Sequence, residues 1–147
     1  MKKLLVIAVL LLVSATVIGW EYQESVDPMT DVVTKGIVSY AQDYSGAFRK
    51  PYMAILSQDG VMTVAIEFNS YSIRTGERAI AYRIGENAAK TAPMQASGSV
   101  VFLSNSDIFL AEMLEGDRLV VQARHIDGSV TAIFNLSQFA VAFELLQ

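Results

Sequence analysis

The chain has 147 residues, a formal charge of −4, no cysteine and one histidine. That length suits one ordinary domain rather than two, and the absence of cysteine excludes disulfides, thiolate metal sites, a cysteine nucleophile and lipid attachment through an N-terminal cysteine. Eleven Lys and Arg against fifteen Asp and Glu argue against nucleic acid and anionic membrane surfaces as partners, since both select clustered cations.

Met1-Lys-Lys3 followed by the apolar run 4–18 has the charged and apolar regions of a secretory signal. The reading is a signal peptide over 1–19, cleaved after Ala15 or Gly19, and a single exported domain over 20–147. An uncleaved anchor is the alternative, although the run is shorter than the ~20 residues of a usual spanning helix. A periplasmic address follows, with anchoring in the inner membrane facing the periplasm as its alternative.

From Trp20 the chain alternates aromatic and polar residues to Ser25, which predicts a strand ended by Asp27-Pro28. A second strand is predicted over 34–40 and a loop over 42–46. The segment 52–68 reads as a hairpin turning at Asp59-Gly60, a pair suited to a type I′ turn, with Met53 and Ile55 beside Ile66 and Val64 and with Ala54 and Leu56 beside Ala65 and Thr63. Both of its faces are apolar, which predicts cover on both sides. The next strand, 78–84, sends Ile80, Tyr82 and Ile84 to one face. Ala, Asn, Pro and Ser over 85–98 predict the longest irregular segment, and 100–103 a short strand.

Residues 104–114 predict a helix capped by Ser106, with Ile108, Leu110, Ala111 and Leu114 as its apolar stripe and Gly116 as its stop. The runs 118–126 and 129–136 predict a second hairpin, turning at Asp127-Gly128 with Ile126 opposite Ser129 and Leu119 beside Leu136. After it Ser137 is positioned to cap a terminal helix that buries Phe139, Phe143 and Leu146. These elements predict a mainly β chain, an antiparallel β-sandwich or barrel of about seven strands with two short peripheral helices.

Few residues invite chemistry. His125 lacks the converging carboxylates of a metal site and the serine and acid of a triad, so a structural role is favoured. Arg83 and Arg124 are fixed charges in mid-strand that need a carboxylate or solvent, and a cross-strand pair between Glu67 and Arg83 is one solution. A polar contact patch built on these residues is the sharper reading. Asp27 and Asp31 lack the spacing of a calcium loop and suit a turn. Serines 57, 70, 72 and 99 lack the context of a nucleophile elbow, and no glycine-rich phosphate loop exists. Trp20, Tyr22, Tyr40, Tyr44, Phe48 and Tyr52 crowd the first third of the domain, where core filling accounts for most. Several exposed together would make an interaction patch.

Trp20 with Asp27-Pro-Met-Thr-Asp31, then Arg49-Lys-Pro-Tyr-Met-Ala-Ile55 with Asp59-Gly60, then Ala81-Tyr-Arg83, follow one another in order. Phe109-Leu110 and Leu114 come next, then Asp117-Arg-Leu-Val-Val-Gln-Ala-Arg124 and Thr131-Ala-Ile-Phe-Asn-Leu-Ser137. In this order they resemble the VasI/TagO-like family of exported proteins associated with type VI secretion. The family pattern carries a cysteine at about Leu56 or Ser57 and another near the C-terminus, joined as a disulfide, and neither is present here.

The export signal, the lack of a catalytic constellation and the resemblance together imply a non-enzymatic periplasmic accessory or interaction protein with no cofactor, whose partner is an envelope or secretion-apparatus protein. The residue reading offers Arg83, Arg124, Glu67 and Trp20 as its candidate binding residues. The alternative is an exported inhibitor or small-ligand-binding protein of the kind carried on phages or other mobile elements. An envelope hydrolase is a third class, disfavoured because no nucleophile, base and orienting group can be assembled from these spacings.

Overall fold

The computed structural model describes residues 13–17 and 19–147, with side chains from residue 19 onward. In chain order its elements are β1 (Val13–Val17), β2 (Trp20–Val26), β3 (Val33–Tyr40), β4 (Asp43–Ser45), β5 (Tyr52–Gln58), β6 (Val61–Glu67), β7 (Ala79–Ile84), β8 (Lys90–Ser97) and β9 (Val100–Leu103). There follow α1 (Ser106–Met113), β10 (Arg118–His125), β11 (Gly128–Asn135) and α2 (Phe139–Glu144). The strands form one continuous antiparallel sheet in the order β1-β2-β3-β5-β6-β9-β8-β7-β10-β11-β4. The mainly β character and the two short helices agree with the sequence pattern. The leader expected over 1–19 lies outside the described residues except for the β1 backbone and Gly19. Among the described residues, no helix is long and apolar enough to cross a membrane.

Alternation decides which way each strand faces. Ile37, Met53, Ile55, Val64, Ile66, Ile80, Leu119, Val121 and Phe134 are all buried, and they fall on one side of their strands. Every strand from β2 to β11 except β4 contributes to this one core. The hairpin β5–β6 has the expected register, with Met53 opposite Ile66 and Ile55 opposite Val64. Its turn residues Asp59 and Gly60 take φ of 51° and 79°, as a type I′ turn demands.

The second hairpin is displaced by two residues from expectation. His125 pairs with Gly128, Leu119 with Phe134 and Val121 with Ala132, so the loop is Ile126 and Asp127. Neither loop residue has positive φ, whereas Gly128 sits at φ 144° as the first residue of β11. The glycine's freedom is spent after the turn rather than within it. A shift of two keeps every side chain on its face, so the core list survives.

Three strands lie where none is expected. β1 is one, and β4 another, a short edge piece paired to β11 through Tyr44 and Ala132. The third, β8, occupies the segment taken as irregular because of its Pro93 and polar residues. It pairs with β7 through Lys90–Pro93 and with β9 through Met94–Ser97. Pro93, which lacks an N–H, stands where the strand changes partners, the place a sheet tolerates it.

The helices are where the sequence places them; α2 turns the expected face inward, whereas α1 does not. In α1 the buried residues are Ser106, Phe109, Leu110 and Met113, while Ile108 and Leu114 are exposed. Ser106 is not the cap, because it is the first helical residue and its Oγ donates to the Leu103 carbonyl at 3.3 Å. Nor does Ser137 cap α2, since its N–H donates to Asn135 Oδ1 at 2.8 Å. Phe139, Ala142 and Leu146 are buried, and Phe139 stacks on Trp20 with centroids 5.0 Å apart. Phe143 is half-buried against the core.

These placements make Phe139→Ala expensive, about 3–5 kcal/mol in urea unfolding, because it opens a cavity under Trp20. Ile108→Ala should change stability by less than about 0.5 kcal/mol, contrary to the stripe read from sequence. Burial pushes the Tyr22 phenol up to about 12, and its bond to Glu24 Oε2 at 2.6 Å adds to the rise. Burial also raises Tyr82, helped by the Glu112 carboxylate, which accepts its hydroxyl at 3.1 Å. The folded Tyr22 therefore keeps a proton that the unfolded chain releases near 10. Its stabilisation is complete below pH 10 and is lost as the pH rises through about 12. Urea midpoints should fall across that window less steeply in Tyr22→Phe than in the parent chain.

Candidate functional site

The register of β3, β5 and β6 sets three side chains in a row. Tyr40 lies opposite Tyr52, and Tyr52 opposite Glu67. Their chain neighbours Ser39, Met53 and Ile66 are buried, so alternation turns the row to the outer face. The two tyrosine rings have centroids 5.7 Å apart and are tilted by 56°.

The segment 46–51 walls one side of this row. Gly46, at φ 77°, turns the chain out of β4, and a Cβ there would collide with the Ser129 carbonyl. Asn69 then anchors the loop. Its carbonyl accepts the Phe48 N–H at 2.8 Å, its Nδ2 donates to the Lys50 carbonyl at 2.8 Å, and its Oδ1 accepts Arg49 Nε at 3.2 Å. It does so from φ 50°, a left-handed conformation that asparagine tolerates better than most residues. The Asn69 N–H donates to Glu67 Oε1 at 2.9 Å, and the Ser99 hydroxyl donates to the same oxygen.

The result is an open cleft of ≈ 700 Å³ between the Tyr40–Tyr52–Glu67 row and the loop bearing Phe48, Arg49 and Lys50. Phe48 is 68% and Tyr40 57% exposed. Tyr71, also exposed, meets Phe48 edge-on with centroids 4.7 Å apart. Arg49 and Lys50 are exposed and form no ion pair among the described residues. The half-buried Glu67 is already held by two donors. The cleft therefore offers aromatic surface and unused hydrogen-bond donors, chemistry suited to holding a ligand.

Of the four candidate binding residues read from sequence, Arg83, Arg124, Glu67 and Trp20, Glu67 alone lies in the cleft. It cannot pair with Arg83, because β6 neighbours β5 and β9 whereas β7 neighbours β8 and β10. Arg83 instead lies 3.5 Å from Glu86, three residues along its own chain and well exposed, a contact of little energetic weight. Arg124 is exposed on β10, away from the row, and its carbonyl accepts the Arg74 N–H. Trp20 is 2% exposed and belongs to the core, with its indole N–H lacking a partner among the described residues.

His125 is 6% exposed. Its Nδ1 accepts the Asp127 N–H at 3.1 Å and its ring packs 5.5 Å from Tyr71, an arrangement that closes the hairpin turn. Asp27 accepts the Met29 N–H through its side chain and the Asp31 N–H through its carbonyl, a turn as expected. Among the described residues no group of three or more His, Asp or Glu gathers to hold a metal.

Tyr40, Tyr44, Phe48 and Tyr52 stand out in the sequence as a possible patch, and three of them line the cleft. Arg49 and Lys50 enter the sequence reading only as part of the motif 49–55 and not as binding candidates, and Asn69 and Tyr71 do not stand out. The signals for them are an Asn just past a strand end and two cations between Phe48 and Pro51. Compared with protein-family models, with curated proteins and with solved structures, the chain matches none.

Because Asn69 combines a left-handed backbone with three side-chain and main-chain tethers, Asn69→Ala should cost about 2 kcal/mol. Hydrogen exchange of the amides in 47–50 should quicken about tenfold, on the loss of the side-chain bonds. Asn69→Gly, which relieves the backbone but not the tethers, should quicken exchange equally with a smaller stability loss.

Proposed function

We propose that this chain is an exported, non-enzymatic interaction module that holds an envelope protein through the cleft between the Tyr40–Tyr52–Glu67 row and the loop 46–51. The observation that carries the reading is the gathering of Tyr40, Tyr52 and Phe48, with Tyr40 and Phe48 exposed, around a cleft whose wall is fixed by Asn69. Rigid aromatic rings bury large area at small entropic cost, and they recur at the centres of protein interfaces beside Arg. The leader-like sequence pattern over 1–19 and the resemblance to type VI secretion-associated proteins support a periplasmic accessory role, with a component of that apparatus as the partner class. Supporting a folded-over, sandwich-like shape for the sheet are two transfers. At one, β8 passes from β7 to β9 at Pro93. At the other, Ala41 and Gln42 carry the chain from β3 to β4 while donating to the carbonyls of Pro51 and Ile133.

A second reading, an exported inhibitor or small-ligand binder, is favoured by one observation, the cleft volume of ≈ 700 Å³, which falls in the range of about 300–1,000 Å³ usual for ligand pockets. Its openness to solvent favours a macromolecular surface instead. Tyr22, Tyr82 and Trp20, which would line an inter-sheet ligand cavity, are buried in the core.

Tagged chain should recover a partner from envelope extracts. The double variant Tyr40→Ala, Tyr52→Ala should lose that recovery by about tenfold, the effect of removing one interface anchor, at an unchanged melting temperature. Deleting the gene should impair type VI secretion. Equal recovery by both chains, or no recovery together with normal secretion, contradicts the reading.

A further inference from the structure

The ligand class can be narrowed, on the premise that the cleft is a binding site. From two non-parallel aromatic pairs beside two unpaired cations on a donor-rich wall, we propose that the cleft takes an extended, proline-containing peptide segment bearing acidic residues.

Three observations carry this. First, the segment cannot join β5 or β6 as an added strand, because β5 lies between β3 and β6, and β6 between β5 and β9. On this floor of the cleft, recognition rests on side chains. Second, the groups left unused are mainly donors: the remaining guanidinium N–H groups of Arg49, the Lys50 ammonium and the hydroxyls of Tyr40 and Tyr52. Of the half-buried Glu67 carboxylate, Oε1 is engaged by Asn69 and Ser99, so Oε2 is left as the smaller, accepting part of a wall that mainly donates. A donor-rich wall suits a chain that presents carbonyls and few N–H groups, and proline is the residue that removes the N–H.

Third, Tyr40 and Phe48, 57% and 68% exposed, line the cleft beside Tyr52, whose ring is tilted 56° from that of Tyr40, and they offer aromatic surface to flat, rigid groups. Pyrrolidine rings pack on such faces, and a polyproline helix reaches the site already ordered. The two cations, opposed by one engaged carboxylate in a chain of net charge −4, supply the charge complement that selects acidic residues in the ligand.

The test uses the full chain and fluorescently labelled synthetic peptides read by anisotropy. A Pro-Pro-Glu repeat should bind saturably. The Pro-Pro-Lys and Gly-Gly-Glu repeats should each bind at least about tenfold more weakly, having lost the charge match or the preformed backbone. Tyr52→Ala should weaken the Pro-Pro-Glu repeat by a similar factor. The pair Arg49→Gln, Lys50→Gln should weaken it and flatten its salt dependence. Failure of the Pro-Pro-Glu repeat to saturate, equal binding of the Gly-Gly-Glu repeat, or preference for a soluble chitin oligosaccharide would overturn the proposal. If envelope capture still depends on Tyr40 and Tyr52 when the peptide fails, the ligand class falls and the binding role stands. If capture ignores the cleft, both fall.

Discussion

The Asp59–Gly60 turn holds the register on which both faces of the β3–β5–β6 ribbon depend. Two consecutive residues at positive φ leave the hairpin one way to close, and closure there pairs Met53 with Ile66 inside and Tyr52 with Glu67 outside. Because side chains alternate with period two, a slip of one residue would carry Ile55 and Val64 to solvent and the tyrosine row into the core. The same turn thus fixes the hydrophobic centre and the candidate site. Neither can move without the other.

The outer face of this ribbon is unusual in its composition. Beside the aromatic row, the next row across the sheet is Val38, Ala54, Ala65 and Phe102. The first three are half-buried and Phe102 is exposed. The outward side of a solvated antiparallel sheet is ordinarily polar. Small and apolar residues there, next to Tyr40 and Tyr52, extend the aromatic cleft into a continuous surface of low desolvation cost. Asn69 completes it from the other side by pinning the loop 46–51, so the site combines a rigid sheet floor with a tethered wall. Preorganisation of this kind lowers the entropic penalty of binding.

Much of the fold was legible because the relevant instructions are local. A positive-φ turn pair, alternation in 52–68 and 78–84, and the apolar runs of 118–136 each specify structure within a few residues. The displaced second hairpin shows where locality fails. Asp127-Gly128 has the composition of a turn centre, yet the His125 bond to the Asp127 N–H and the strand pairing of Gly128 move the loop one residue back. β8 was illegible for a related reason. Pro93 is a breaker by itself, and only the change of partner between β7 and β9 makes it acceptable. The face of α1 differs from expectation because five apolar residues in an eight-residue helix allow several stripes, and sheet contacts choose among them.

The site was half legible. Aromatic crowding between Tyr40 and Tyr52 is visible in the sequence, whereas its gathering with Glu67 requires the β3–β5–β6 order, and Tyr71 reaches Phe48 only across the loop. Mid-strand arginines drew notice because fixed charge in a strand demands a partner, yet exposure meets that demand for Arg83 and Arg124. The tethering role of Asn69 depends on carbonyls and side chains about twenty residues away, a distance over which no local pattern operates.

Site-specific photo-crosslinking in the native host tests the central claim most directly. A photoreactive side chain at position 48, in the cleft, should yield an adduct with an envelope protein, while one at position 61, equally exposed at the opposite end of the β5–β6 hairpin from Tyr52 and Glu67, should not. An adduct from position 61 with none from position 48 would contradict the account.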